Sequence, residues 1–298
     1  MKKSLIPLLL ALLATPALAD KLPVLASFSI LADLTREVGG ERVDVASLVG
    51  PDQDAHVFQP APQDVKKLAA AKVFVVNGLG FEGWLSRLSK SSGFKGTSLV
   101  ASQGVKAQDM AEEEHDHHGH DHGHTDPHAW HNPQNVKLYV NNIRAALTQA
   151  DPAGKDYYSQ RASQYSQQLD ALDADARQRF AAIPASQRKV LTSHDAFGYL
   201  AQRYQIRFLS PQGVSTDAEA SAKTVAKLVR QVKAEKIRAV FVENMTDKRL
   251  LEQLSREAGV QVGGKLYADA LSPANGPAPS YLKLFSHNVN SLSAAMKP

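Results

Sequence analysis

Apolar runs and amphipathic stretches take turns along most of this chain, and the alternation predicts strands and helices in succession. Leu22 to Ser27 reads as a strand, Ile30 to Val38 as a helix, Val43 to Val49 as a strand and Pro62 to Ala71 as a helix. Val73 to Val76 is a further strand, and Trp84 to Leu88 and Thr97 to Ala101 continue the pattern as helix and strand. Strands rich in Val, Leu and Phe without polar interruption, separated by helical spacing, imply a parallel sheet covered on both faces.

The pattern changes between Asn132 and Ile183. Val136, Tyr139, Val140, Ile143, Ala146 and Leu147 recur at helical spacing, Asp151-Pro152 interrupts them, and Tyr158, Tyr165, Leu169, Leu172 and Phe180 resume up to Pro184. A long helix follows from this spacing, placed to join two lobes. Alternation then returns: strands at 190–192, 206–209, 239–243 and 260–267, helices at 196–204, 222–234, 247–258 and 281–296. The expected architecture is two α/β lobes with parallel sheets joined by helix: an N-terminal lobe over 20–150, a linking helix over 151–184 and a C-terminal lobe over 185–298.

Residues 1–19 stand outside this scheme. Lys2 and Lys3 precede an apolar run from Leu5 to Leu13, and Ala17-Leu18-Ala19 is a small-x-small site before Asp20. The order and proportions are those of a secretory signal peptide cleaved after Ala19, since the run is far short of the ~20 residues that span a bilayer. An exported protein of a bacterial periplasm, held by a core in each lobe, is expected.

Composition narrows the chemistry. The chain of 298 residues contains 0 Cys, which excludes disulfides, thiolate metal sites, iron–sulfur clusters and thiol nucleophiles. The formal charge is +4, and removing Lys2 and Lys3 leaves a nearly neutral mature chain without the basic footprint of a nucleic-acid binder. Histidine is plentiful at 11, and six (His115, His117, His118, His120, His122 and His124) fall within Glu112 to His124, a run of only Glu, His, Asp and Gly. Such a run buries nothing apolar and reads as a loop that takes up metal weakly, or as a solubilising insert.

Ligands of open α/β sheets lie beyond the carboxyl ends of the strands, and four metal-ligating side chains fall there. His56 lies in Asp54-Ala55-His56-Val57-Phe58-Gln59-Pro60, and His128 in Asp126-Pro127-His128-Ala129-Trp130-His131. His194 lies in Thr192-Ser193-His194-Asp195-Ala196-Phe197-Gly198-Tyr199, and Asp269 in Tyr267-Ala268-Asp269-Ala270-Leu271. Any one of these histidines alone reads as a strand-end or capping residue. Three imidazoles and one carboxylate together make a tetrahedral donor set suited to Zn2+, whereas Mn2+ prefers oxygen-rich sites.

Those four segments carry a resemblance. Over essentially the whole mature chain, the sequence is similar to the ZnuA/TroA-like zinc and manganese substrate-binding proteins of bacterial ABC transporters. The resemblance implies two Rossmann-like lobes bridged by a long rigid helix, with the metal in the interlobe cleft on His56, His128, His194 and Asp269. It also implies delivery of the ion to a membrane permease, and histidine at position 194 goes with zinc rather than manganese. Zinc-binding members often carry a histidine-rich loop near 112–124. A monomer that binds Zn2+ as cargo, with the permease as partner and a periplasmic metallochaperone as a further candidate, is the expectation.

Three residues have open roles. His131 departs from the family pattern and reads foremost as a solvent-facing histidine, with alternate ligand or relay as the other options. Glu243, at a strand end, reads as an acceptor of backbone N–H groups or of a ligating histidine. His287 reads as exposed and unrelated to the metal. Two other functions are weighed: a manganese or iron carrier of the same fold, and an exported zinc hydrolase, for which no HExxH, GxSxG or phosphate-loop pattern is present.

Overall fold

The computed structural model describes residues 20–108, 125–217 and 220–297. Its first half is a parallel sheet of β1 (Leu22–Phe28), β2 (Val43–Val49), β3 (Val73–Val76) and β4 (Thr97–Val100), in the order β2-β1-β3-β4. β1 is central, hydrogen-bonded to β2 and β3, and its sequence LPVLASF has five consecutive buried residues because both faces are covered. β2 at the edge mixes exposed and buried positions. The crossovers are α1 (Ser29–Gly39), α2 (Pro62–Ala70) and α3 (Leu85–Ser92).

Two helices follow. α4 (Pro133–Ala150) starts with Pro133 at its first position and Asn132 as cap, whose side chain accepts from the Gln134 amide at 3.0 Å. A 3-10 turn over Pro152–Gly154 leads into α5 (Lys155–Ala181), whose 27 residues span about 40 Å. The expected break at Asp151-Pro152 is there, and the helix begins after it. α5 is tied to both halves: Arg161 Nε donates to the Glu37 carbonyl at 2.7 Å, and Asp173 accepts from Arg203 Nε at 2.6 Å and from Tyr204 Oη at 2.8 Å.

The second half repeats the first in shorter form. β5 (Lys189–Leu191) is flanked by β6 (Arg207–Leu209) and β7 (Ala239–Val240). The predicted strand 239–243 divides at Phe241, and β8 (Val242–Glu243) pairs instead with β9 (Lys265–Leu266). Only two residues of the predicted strand 260–267 are strand, because 260–264 carries Gly263 and Gly264 and pairs irregularly. α6 (Gly198–Tyr204), α7 (Ala222–Ala234), α8 (Arg249–Ala258) and α9 (Tyr281–Met296) surround these strands.

The core is not divided between the two sheets as the sequence suggests. One continuous cluster runs from Val24, Phe74 and Leu88 through Trp130, Tyr139 and Leu169 to Val190, Leu266 and Phe285. A second cluster, including Leu228, Val232, Leu251 and Leu254, lies where α7 and α8 cover Leu191 of β5 and Val240 of β7. α5 packs on α1 and α4 of the first half and on α6 and α9 of the second, so a shared interior is buried instead of two independent ones. No helix among the described residues is long and apolar enough to cross a membrane.

Candidate metal centre

Four strand-end segments deliver the site. His56 lies in the loop after β2, His128 in the segment that returns from β4 towards α4, His194 three residues beyond β5 and Asp269 three beyond β9. Their donor atoms lie within 4.8 Å of one another. Asp269 Oδ2 is 3.3 Å from His56 Nε2 and 3.2 Å from His194 Nε2, Asp269 Oδ1 is 3.6 Å from His128 Nε2, and the His56 and His128 Nε2 atoms are 3.3 Å apart. Donors ~2.0 to 2.2 Å from one ion in a tetrahedron are about 3.3–3.6 Å from each other. Those four separations match that spacing, and the group as a whole has the size of a small cation site.

Burial and unmet bonding fit a cation as well. The side chains of His128, His194 and Asp269 are fully buried and that of His56 is 5% exposed. His194 Nε2 and both Asp269 carboxylate oxygens face only members of this group, with no well-formed hydrogen bond to any other described residue. Buried acceptors left so are costly unless something charged meets them. His194 lies between two carboxylates, with Glu243 at Nδ1 and Asp269 at Nε2. Burial disfavours its charged form, but Glu243 and Asp269 outweigh that and hold the imidazole well above the usual histidine range. Asp269, which burial alone would push up, is held well below the carboxylate range by His128, His194 and His56.

Carboxylates orient two of the imidazoles. Asp126 Oδ1 accepts from the His128 backbone N at 2.9 Å and from Nδ1 at 2.8 Å, which directs Nε2 to the centre. Glu243 Oε1 accepts from the amides of Ser193 (2.8 Å) and His194 (3.0 Å), while Oε2 meets His194 Nδ1. Both readings of Glu243 hold at once. The Asp126 carboxylate needs space at Gly198, the first residue of α6, where an added Cβ would be 2.3 Å from Oδ2.

A deeper layer holds the segment before His128. Asn77 Nδ2 donates to the Pro127 carbonyl (2.9 Å), Asn77 Oδ1 accepts from Tyr139 Oη (2.6 Å), and buried Glu82 accepts from the Asn77 amide (2.6 Å) and Ser27 Oγ (2.7 Å). Tyr139 is legible in the sequence only as a position on a helix face, and nothing there marks a lone Asn77 or Glu82 as part of a distant network. Asp126 was legible as part of its motif but not as a brace.

His131 corrects the sequence reading: it is fully buried, not solvent-facing. Its ring is 4.6 Å from that of Phe197, neither nitrogen has a partner among the described residues, and it is not part of the four-donor group. Burial lowers its pKa to about 3, so it is uncharged. His287, read as exposed, is partly buried with Nε2 2.9 Å from the Lys265 carbonyl, and it is not part of the four-donor group. His115, His117, His118, His120, His122 and His124 lie outside the described residues.

Paired parallel α/β sheets, a long helix and an enclosed His/Asp centre at the strand ends define a metal-binding substrate-binding protein. The model of the family described as "Zinc-uptake complex component A periplasmic" (ZnuA) matches residues 24–295, and the chain belongs to that family. This family supplies the substrate-binding component of ABC transporters and is not a family of enzymes. Among curated relatives, the iron-binding protein YfeA of Yersinia pestis is 32% identical over 95% of this chain and 91% of its own length. The manganese ABC transporter substrate-binding lipoprotein PsaA of Streptococcus pneumoniae is 28% identical over 93% and 90%. Among solved structures, the periplasmic zinc-binding protein TroA of Treponema pallidum has a TM-score of 0.85 at 27% identity, covering 93% of this chain and all of that one.

Proposed function

We propose that this protein captures Zn2+ in the periplasm, on His56, His128, His194 and Asp269, and presents it to the membrane permease of an ABC transporter. The observation that carries this reading is the donor set: three imidazoles and a single carboxylate at tetrahedral spacing. Imidazole suits zinc, and the Irving–Williams order places Zn2+ above Mn2+ and Fe2+ for such donors. With four protein atoms around the ion there is no open coordination position of the kind a hydrolytic zinc requires. Asp126 and Glu243 keep the two imidazoles in the tautomer that presents Nε2.

The same reading has the leader removed after Ala19 and divides the mature chain into a lobe over 20–150, the connection 151–184 and a lobe over 185–298. It gives the histidine-rich segment 112–124 the part of a weaker zinc acceptor, because flexible ligands must be ordered on binding. It treats the mature protein as a monomer.

The second reading is a manganese or iron carrier, and the names of PsaA and YfeA favour it. Competition decides between the two. Metal analysis of untagged protein, followed by chelator-buffered titration with Zn2+, Mn2+ and Fe2+, is expected to give one tight Zn2+ that neither of the others displaces at comparable free concentration. Displacement by Mn2+ or Fe2+ overturns the zinc assignment, and the absence of any tight ion overturns both.

A further inference from the structure

The four candidate ligands are held in two different ways. His128 and His194 each have a carboxylate at Nδ1, from Asp126 and Glu243. The Asp269 carboxylate meets only the other three candidate ligands, so its own main chain is what ties it to the rest of the fold. That main chain is held immediately before the ligand: Trp130 Nε1 donates to the Ala268 carbonyl at 2.9 Å. His56 repeats the device, for Trp84 Nε1 donates to the Ala55 carbonyl at 2.9 Å. The chain contains 2 tryptophans, and both indole N–H groups are spent in this one way.

A buried indole N–H needs an acceptor, and for one tryptophan any nearby carbonyl is explanation enough. Packing alone does not select the carbonyl preceding a ligand twice in two. Nor does it select the two ligands whose side chains have no carboxylate behind them, although the Asp54 carboxylate accepts from the His56 backbone N at 2.9 Å. The carbonyl at that position also has a direct mechanical effect, because the planar peptide carries it and the ligand's own N and Cα as one unit. Fixing the oxygen fixes the root of the ligand side chain. With the donors all within 4.8 Å of one another, a small rotation of that unit would spoil the set.

The two contacts have different reach. Trp84 precedes α3 and holds a loop of its own half, where its ring also meets Phe58 at 5.0 Å. Trp130 follows His128 by two residues and reaches Ala268 in the other half, wedged between Phe28 (5.1 Å) and Phe81 (5.0 Å). Its own carbonyl accepts from Tyr281 Oη at 2.8 Å. One short segment thus places an imidazole directly and a carboxylate through an indole.

We infer that Trp84 and Trp130 are positioning residues for metal capture, setting His56 and Asp269 through the carbonyls of Ala55 and Ala268. The inference rests on the ligand assignment proposed above, and its test separates the two.

Zinc affinity, read by competition with chelators of graded strength, is expected to fall about five- to tenfold in Trp84→Phe and in Trp130→Phe, the loss of one hydrogen bond each. Coupling is the decisive readout. Trp130→Phe should cost nothing further once Asp269→Ala is present, and Trp84→Phe nothing further in His56→Ala, while the crossed pairs should add. Because phenylalanine is smaller than tryptophan, a second protein carries benzothienylalanine at both positions, which keeps the ring shape and replaces N–H by sulfur. It should lose zinc affinity about 25- to 100-fold with its metal-free melting temperature unchanged within a few degrees. Equal losses in the presence and absence of the partnered ligand, or full zinc retention by the benzothienyl protein, overturn the inference. Wild-type affinity in Asp269→Ala and His56→Ala overturns instead the ligand assignment on which it stands.

Discussion

The two halves of this molecule use one plan with different degrees of commitment. The first half has one sheet in the order β2-β1-β3-β4, the second a three-stranded sheet β6-β5-β7 and a separate pair β8-β9, and each half contributes one carboxylate-backed histidine and one further donor. Yet β1 and β2 have seven residues each, while β5 and β6 have three and β7 to β9 two. In the first half the outer helices bury Leu68 and Leu88 in the main core; in the second, α7 and α8 cover a separate small one. A metal site needs its donors held, not the whole of each lobe, and in the second half β5, β7 and β9 pack on α9. The outer layer there is free to be less stable.

Removing a backed histidine from either half is the strongest challenge to that symmetry. His128→Ala and His194→Ala are each expected to abolish tight zinc binding, so that zinc no longer raises the melting temperature, as calorimetry with and without the ion would show. If one of them retains tight binding, the halves are not equal partners. Core truncation should then separate the two layers. Leu34→Ala removes a fully buried side chain of the shared core and should cost about 2–5 kcal/mol of global stability in denaturant unfolding. Leu254→Ala, equally buried but under α7 and α8, should speed hydrogen exchange in those helices and leave zinc affinity within twofold. Equal effects on zinc would mean that the outer layer is coupled to the site.

The carboxylate backings come next. Asp126→Asn and Glu243→Gln should each weaken zinc by about 10- to 100-fold in chelator competition. Glu243→Gln should lose the more, since Glu243 also accepts from two backbone amides.

Acidity discriminates further. In the metal-free protein His194 is held protonated by Glu243 and Asp269, and zinc must expel that proton. Affinity should therefore already fall about tenfold per unit as pH drops through neutrality, not only below the ~6.5 of a free histidine. For the metal-free fold the sign is opposite. The raised pKa contributes stability that is full below the unfolded value and lost as pH rises through the folded one. Calorimetric proton release on zinc binding in buffers of different ionisation enthalpy measures it, and no release at neutral pH would refute the charged His194.

The smallest effect is expected at His131. Leu in its place removes an unpaired buried N–H and should raise the melting temperature by about 2–4 °C without altering zinc affinity. A loss of zinc affinity would make it part of the centre.

Much of this was legible along the chain because local periodicity encodes it. The boundaries of β2, β3, α7 and α9 coincide with the apolar spacing, and the motifs around His56, His128, His194 and Asp269 name the donors that converge. Strand 260–267 was over-read because apolar content alone does not show that Gly263 and Gly264 spoil regular pairing. His131 was misplaced because a polar residue type says little about burial once its neighbours are Trp130 and Phe197.

What the amino-acid order determined by itself is the alternation of elements, the exclusion of thiol chemistry by 0 Cys and the chemical identity of the donors. Those are properties of single residues and short windows. Only the tertiary structure decided that one core serves both sheets, that Glu243 backs His194 across 49 positions, and that Trp130 reaches Ala268 across 138. Contacts between residues so far apart in the chain depend on how whole elements are laid against one another, and no local pattern encodes that.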